Sequence, residues 1–534
     1  MGGALAGNNV VVTDSAVRDE GASRESRVRP HRPWLPEAVT LGVLLAVHIA
    51  LQVVTRPFPR WGDAILTFGY ARDFPNIPAD QHSTRLGVLL PARLFIDIFG
   101  FGEVAYYSYP AIMGVVLVAA MFLVARRLFG LVGGAVAGFL IVVNPIVVHT
   151  ANNTTSWQLL PDVPAAAWFT TGMALLLAVA HGSDGVPVPS SRSATGTLVG
   201  AGLCFGLAYE CRELVVFMFV LLPLVTVLYR MSWRRLAIVL APMALILMVD
   251  LAITWVVWGD PLTRLHIAGE HGSPSDPVAR YDTLMKMPRA LFHEERGSVS
   301  LLMLGVTIVG ALVLWRRGLI MAAAWVLSLF VPLLLLGGFL DPEFHSLRLQ
   351  IVRYWVPILP ALVLGTVGTA HETLRLVAAH PDWPGRWLRW RVVAVAVLLL
   401  AWYPIPVLRY AVGNPNDRAW TDLRAYLEEH ERQLPVISTG YRSAQTLLVY
   451  SYAPMGGELV WDGKINVLAE LNEQGRTRRI GPVPQPEDVP EGPLLYTMET
   501  TSPPPGAGDG WSLVFRSGRI RLYVPPDLAS GLTG

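Results

Sequence analysis

Residues 35–54 read LPEAVTLGVLLAVHIALQVV, and RWGDA follows at 60–64. The first run has Glu37 near its start and otherwise only His48 and Gln52 as strongly polar interruptions. About 20 apolar residues are what a helix needs to cross a bilayer. A carboxylate a few residues past such a helix, here Asp63, stands at the membrane surface. A lone loop acid is ordinarily just solvated, so the rest of the chain decides what Asp63 means.

The chain has 534 residues, 53% hydrophobic and 15% charged, with a mean hydropathy of +0.45. Soluble domains carry roughly 25% charged residues, so most of this chain faces lipid or other apolar helices. The formal net charge of +2 and the lack of a basic run interleaved with stacking aromatics argue against a nucleic-acid partner. Cys204 and Cys211 are seven residues apart in an apolar stretch. That is same-face helical spacing, too far along the axis for an easy disulfide, and it excludes a cysteine-based zinc site. The sequence contains neither a phosphate-cradling Gly-rich loop ending in Gly-Lys-Ser/Thr nor a Gly-x-Ser-x-Gly elbow. ATP-driven transport and serine hydrolysis therefore find no support.

Residues 1–34 are polar and Arg-rich at their end, and read as a disordered cytoplasmic tail before an uncleaved first helix. Beyond it, apolar segments recur near 105–125, 131–149, 162–180, 197–210, 213–229, 236–258, 299–315, 319–339, 351–371 and 392–410. With 35–54 these make about eleven spans. Between them fall Arg126-Arg127, Arg230 with Arg234-Arg235, Arg316-Arg317, and Arg386, Arg389 and Arg391. Cytoplasmic loops collect Lys and Arg, and a cytoplasmic N-terminus puts all these clusters inside and the C-terminal region outside. The 35 residues from Gly196 to Arg230 would make one helix of ~52 Å, against a hydrocarbon core of ~30 Å. A hairpin turning at Glu210-Cys211-Arg212-Glu213 at the outer face resolves this.

The fold class read here is a polytopic α-helical membrane protein with a small C-terminal α/β extracytoplasmic domain. Its parts are a tail over 1–34, a transmembrane module over 35–410 with a long first outer loop at 55–104, and the outer domain over 411–534. Within the first loop, Leu86–Phe99 reads as a helix lying in the membrane interface, with Arg93 and Asp97 spaced for an ion pair. In the outer domain the pattern predicts helices over Asn416–Arg432 and Ser443–Tyr452. Strands are predicted at Pro435–Thr439, Glu458–Trp461, Leu494–Met498, Trp511–Phe515 and Ile520–Val524.

Charge near the outer face is the informative set, because charge at membrane depth is costly. Asp63 is followed at helical spacing by Thr67 and Tyr70, and His82 and Arg85 lie just ahead of the interfacial helix. Asp162 opens the fourth span, where it either caps the helix or faces the same cavity as Asp63. Arg353 lies at the start of the tenth span, placed either to snorkel to headgroups or to pair with a phosphate in bidentate fashion. Arg212, in the hairpin turn, is a second such cation or simply neutralises Glu210 or Glu213. His266, His271 and His293 match no zinc spacing.

Asp63-Ala64 leading to Tyr70-Ala71, Asn144-Pro145 through Asp162-Val163-Pro164, and Gly206-Leu207-Ala208-Tyr209-Glu210-Cys211-Arg212-Glu213 carry a resemblance. Gly259-Asp260-Pro261-Leu262 and Arg353-Tyr354-Trp355-Val356-Pro357 add to it. The pattern resembles the C-type superfamily of membrane glycosyltransferases, in particular the branch of protein O-mannosyltransferases and lipid A aminoarabinose transferases. The resemblance implies many membrane helices, a catalytic acid in the first outer loop and a polyprenyl-phosphate-linked sugar donor. The acceptor would be a glycan, lipid or protein, and the location the plasma membrane with the site on its outer side. Many members carry adjacent acids in that loop, whereas Ala64 follows Asp63 here, which weakens a carried-over metal site. A divalent metal stays open and no other cofactor is assigned.

The chemistry expected is direct transfer with inversion. Asp63 and Asp162 are the catalytic candidates, Arg353 and Arg212 the donor-phosphate ligands, and His82, Arg85 and Tyr70 the substrate contacts. One base suffices for transfer to a hydroxyl, whereas glycoside hydrolysis asks for two flanking carboxylates. The competing class is a transporter or flippase of a lipid-linked glycan, which often shows two similar halves. This chain is lopsided. A membrane scaffold with a partner-binding outer domain is the third reading.

Overall fold

The computed structural model describes residues 35–54, 62–144, 159–180, 191–269, 297–335, 352–379, 415–468, 492–497 and 510–532. The expected tail at 1–34, the span at 392–410, the arginines at 386, 389 and 391, and His271 and His293 lie outside the described residues. Among the described residues, five helices are long and apolar enough to cross a membrane. They are α1 (Leu35–Val54), α4 (Glu103–Val142), α5 (Asp162–Ala180), α8 (Trp233–Trp258) and α11 (Arg317–Leu334). On α1 only Leu44, His48 and Gln52 are buried, while Val39, Val43, Val47, Ile49 and Val53 are exposed. A helix that presents β-branched apolar side chains outward all along its length is dressed for lipid rather than water.

Helix α4 spans 40 residues but is not one rod. Gly130 has φ 75° and ψ −175°, and there the chain folds back. A Cβ on Gly134 would meet Arg126 Cβ at 2.8 Å and Phe122 O at 3.0 Å, so the two arms pack side by side. The 196–230 stretch is broken as well. Helix α6 (Ser191–Cys211) stops, Arg212 is extended, and a 3-10 turn (Glu213–Val220) runs into α7 (Leu221–Leu228). Helix α3 (Leu86–Phe99) has the predicted bounds and the Arg93–Asp97 pair at 2.9 Å. It buries Val88, Leu89 and Ala92 and exposes Leu94 and Ile98.

The arginine turns at 126–127 and 316 gather at one end of the bundle. Arg126 bonds Glu37 at the start of α1, and Arg127 donates to Ala178 O at the end of α5. Arg316 pairs with Glu372 near the end of α12 (Leu359–Ala379), whose His371 ring lies 5.8 Å from Phe129. At the other end meet the start of α5, the end of α6, the start of α3 and the residues that precede α12.

The described residues between 415 and 532 form the second layer. Helix α13 (Pro415–Glu429) precedes β1 (Val436–Gly440), α14 (Tyr441–Tyr450) and β2 (Lys464–Leu468). Then come β3 (Leu494–Thr497), β4 (Ser512–Ser517), β5 (Ile520–Val524) and the short α15 (Pro526–Leu532). The sheet order is β2-β1-β3-β5-β4. β2, β1 and β3 are parallel, and β5 pairs antiparallel with β3 and β4. One predicted strand is corrected. Glu458–Trp461 is not in the sheet; Val460 and Trp461 donate to Ser451 O at the end of α14, and Leu459 makes a lone bridge to Tyr452. The strand is instead Lys464–Leu468, whose last three residues are buried beside β1.

Candidate active site

Asp63 is the first residue of helix α2 (Asp63–Asp73), so the loop after α1 turns helical where the acid stands. Its side chain is 30% exposed, and its Oδ1 lies 3.7 Å from Nε2 of the buried His82. Thr67 folds back to donate to Asp63 O at 2.9 Å. Tyr70 donates to Asp80 Oδ2 at 2.8 Å, and Asp80 Oδ1 accepts from the amides of His82 and Ser83 at 2.6 and 2.9 Å. Asp80, which sequence reasoning passed over, thus ties Tyr70 to the loop that carries His82 and Arg85.

Arg85 is buried and bonds Glu213 through two guanidinium nitrogens, at 3.0 and 3.4 Å. Burial pulls its pKa down, and Glu213, then Asp162 and Asp63, outweigh this and hold it above its ordinary value. One arginine therefore sits in the field of three acids from three elements. Gly87 makes the approach feasible, because a Cβ there would stand 2.7 Å from Cys211 N and Glu210 C. Nearby, Tyr109 donates to Gly87 O at 2.7 Å.

Asp162, at the head of α5, lies 3.4 Å from Arg212 Nε, and both side chains are 3% exposed. Among the described residues neither Asp162 oxygen accepts a hydrogen bond, so its side chain does not cap α5. Arg212 in turn stacks over the Tyr354 ring at 4.8 Å. Arg353 lies in the 3-10 turn Val352–Ile358. Its side chain is outside the described set, but its neighbour Tyr354 brings that backbone next to Arg212.

A third arginine was not foreseen. Arg264, on the short helix α9 (Thr263–Gly269), reaches Glu210 at 2.9 Å, Asp250 at 3.6 Å and Glu213 at 4.0 Å, and lies over the Tyr209 ring. Burial opposes its charge, and Glu210, Glu213 and Asp250 together keep its pKa raised. The signal available was Asp250, a lone acid inside the 26-residue apolar helix α8, since such a charge at membrane depth needs a partner. Among the described residues no group of three His, Cys, Asp or Glu side chains stands ready to hold a metal ion. Cys204 and Cys211 are both free and buried.

Comparison with solved structures identifies this architecture. ArnT from Cupriavidus metallidurans bound to undecaprenyl phosphate superposes with a TM-score of 0.57, at 14% identity, over 93% of this chain and 99% of its own. Its apo state gives 0.55, 15%, 92% and 98%. The chain has the C-type glycosyltransferase fold. Residues 86–258 of it match the family model described as dolichyl-phosphate-mannose-protein mannosyltransferase. An Archaeoglobus fulgidus oligosaccharyltransferase in its apo form aligns at a TM-score of 0.45 and 12% identity, over 88% of this chain and 70% of its own. Among curated proteins none matches the chain. The matched segment of this C-type fold runs from the start of α3 to the end of α8, and it holds Asp162, Glu210, Arg212, Glu213 and Asp250.

Proposed function

We propose that this protein is an inverting glycosyltransferase that moves a sugar from a polyprenyl-phosphate donor to an acceptor hydroxyl at the outer face of the membrane. The observation that carries the reading is the pairing of one partly exposed carboxylate with a buried arginine cluster. Asp63 is open to solvent beside His82, while Arg85, Arg212 and Arg264 lie behind it, each 3–4% exposed. The acceptor oxygen loses its proton to Asp63 and attacks the anomeric carbon from the side opposite the phosphate. The sugar–phosphate bond breaks, and the departing phosphate needs cations rather than a general acid.

Arg212 and Arg353 hold that phosphate in this reading. Guanidinium forks suit its oxygens, and Tyr354 keeps Arg212 beside the turn that bears Arg353. Asp162, buried 3.4 Å from Arg212 Nε, orients Arg212 in this reading. Tyr70, His82 and Arg85 line the approach from the first loop. Carboxylates already partner the arginines, which keeps the guanidiniums charged and in place before substrate arrives. Undecaprenyl phosphate in the ArnT structure and the dolichyl-phosphate-mannose named in the family description both favour a lipid-phosphate donor. The topology proposed with it has a cytoplasmic N-terminus, about eleven spans, and residues 411–534 outside.

The test is a panel of polyprenyl-phosphate sugars offered to the purified protein in proteoliposomes. Release of polyprenyl phosphate coupled to a glycosylated acceptor is expected for one member. Movement of the intact lipid-linked sugar across the bilayer without bond cleavage would replace this reading with the flippase.

A further inference from the structure

We propose that Gln445 of the C-terminal domain is a positioning residue for Asp63, so that this domain forms part of the frame of the catalytic site. The inference rests on the reading of Asp63 as the general base. Helix α2 starts without a side-chain cap. Gly62 precedes it at φ 115° and ψ −154°, a conformation that L side chains rarely adopt. The first amides of a helix have no intrahelical acceptor. An 11-residue helix is marginal without outside support, since isolated helices shorter than ~12 residues are barely stable in water.

The support comes from far along the chain. Gly62 N–H donates to Gln445 Oε1 at 3.0 Å, across 383 residues of sequence, while Gly62 O accepts from Leu66 N–H at 3.1 Å. Both polar groups of the residue directly ahead of Asp63 are therefore engaged, one by its own helix and one by the other domain. Gln445 is 1% exposed on α14. That helix is gripped on two sides. Leu447 and Tyr450 belong to the core of the sheet domain, while Val449 packs into the core of the helical module with Leu448 and Tyr452 against it.

The rest of the interface fixes the far end of the same loop. Arg424 bonds the buried Glu103, Val104 N donates to Pro454 O at 3.2 Å, and Gly100 and Gly102 face Gly456 with no room for a Cβ. With both ends held, the carboxylate that must meet an acceptor hydroxyl stands where the C-terminal domain puts it. Catalytic groups need such placement to within ~0.5 Å.

Two substitutions in the full-length protein in nanodiscs separate tether from bulk. Gln445→Met keeps the length and packing of the side chain and removes the acceptor. Gln445→Glu keeps an acceptor oxygen and places negative charge at a helix N-terminus, where it is favoured. Amide hydrogen exchange over 62–66 is expected to quicken about five-fold in Gln445→Met, the effect of losing one neutral hydrogen bond. It should return close to wild type in Gln445→Glu, with exchange over 436–440 unchanged in both. Unchanged exchange at 62–66 in Gln445→Met overturns the proposal. So does equal acceleration at 436–440, which would mean that the domain itself had loosened. The measurement needs no substrate, so transfer activity surviving in Asp63→Asn would defeat the general-base reading while the tether is still read on its own.

Discussion

Arg85 and Glu213, 128 residues apart in the chain, bond through two nitrogens at 3.0 and 3.4 Å and fasten the loop ahead of α3 to the turn after α6. This contact depends on how closely α3 approaches α6, and Gly87 sets that approach. Gly87→Ala would drive a methyl group into the backbone at Glu210 and Cys211, and backbone yields less readily than a side chain. Overpacking of this kind costs about 1–3 kcal/mol. A lowered melting temperature in detergent is expected, together with loss of transfer. Wild-type melting and activity would show that α3 has slack there.

Asp63→Asn preserves size and most hydrogen bonding while removing basicity. Transfer is expected to fall by ~10²–10⁴, the usual contribution of a general base, with donor binding nearly intact. Asp162→Asn should cost less in turnover and more in donor affinity, because Asp162 acts through Arg212 at 3.4 Å. Steady-state kinetics on both variants separates the roles. Full activity in Asp63→Asn with a dead Asp162→Asn would exchange them.

Arg353→Lys keeps the charge and loses the planar fork. A raised KM for the donor is expected, by roughly ten-fold if one charge-assisted hydrogen bond of about 1.5 kcal/mol is lost. Unchanged donor affinity and turnover would return Arg353 to the headgroup region as an anchoring side chain.

Arg424 and Glu103 are buried together where the C-terminal domain meets the start of α4. Breaking one half of a buried pair leaves an uncompensated charge, at a cost of about 3–5 kcal/mol. Arg424→Met should lower thermal stability by that order, and Arg424→Met with Glu103→Leu should recover much of it. A double variant no better than the single one would mean that the pair is not coupled in the folded protein.

The proposed orientation predicts that a cysteine introduced at Gly506 is labelled from outside and one at Arg317 is not. Cys204 and Cys211 are buried and give little background. The reverse pattern would turn the protein over in the membrane and move the site with it.

Apolar length and charge placement were enough to read the apolar helices at α1, α5 and α8, the break at Arg212 and the helix at Leu86–Phe99. These are local properties, since a helix that must satisfy every backbone group inside the bilayer has few alternatives. In the C-terminal domain Glu458–Trp461 read as a strand as readily as Lys464–Leu468, because strand patterns are short and only the partner β1 distinguishes them. The sequence also marked Asp63, Asp162, Arg85 and Arg212 as charges near one face. It did not reveal who pairs with whom. Arg85 with Glu213, Arg212 with Asp162, Arg264 with Glu210 and Asp250, and Gln445 with Gly62 join residues from separate segments. Such pairings are chosen by helix packing, and they exist because a buried charge or amide finds its partner only where the bundle closes around it.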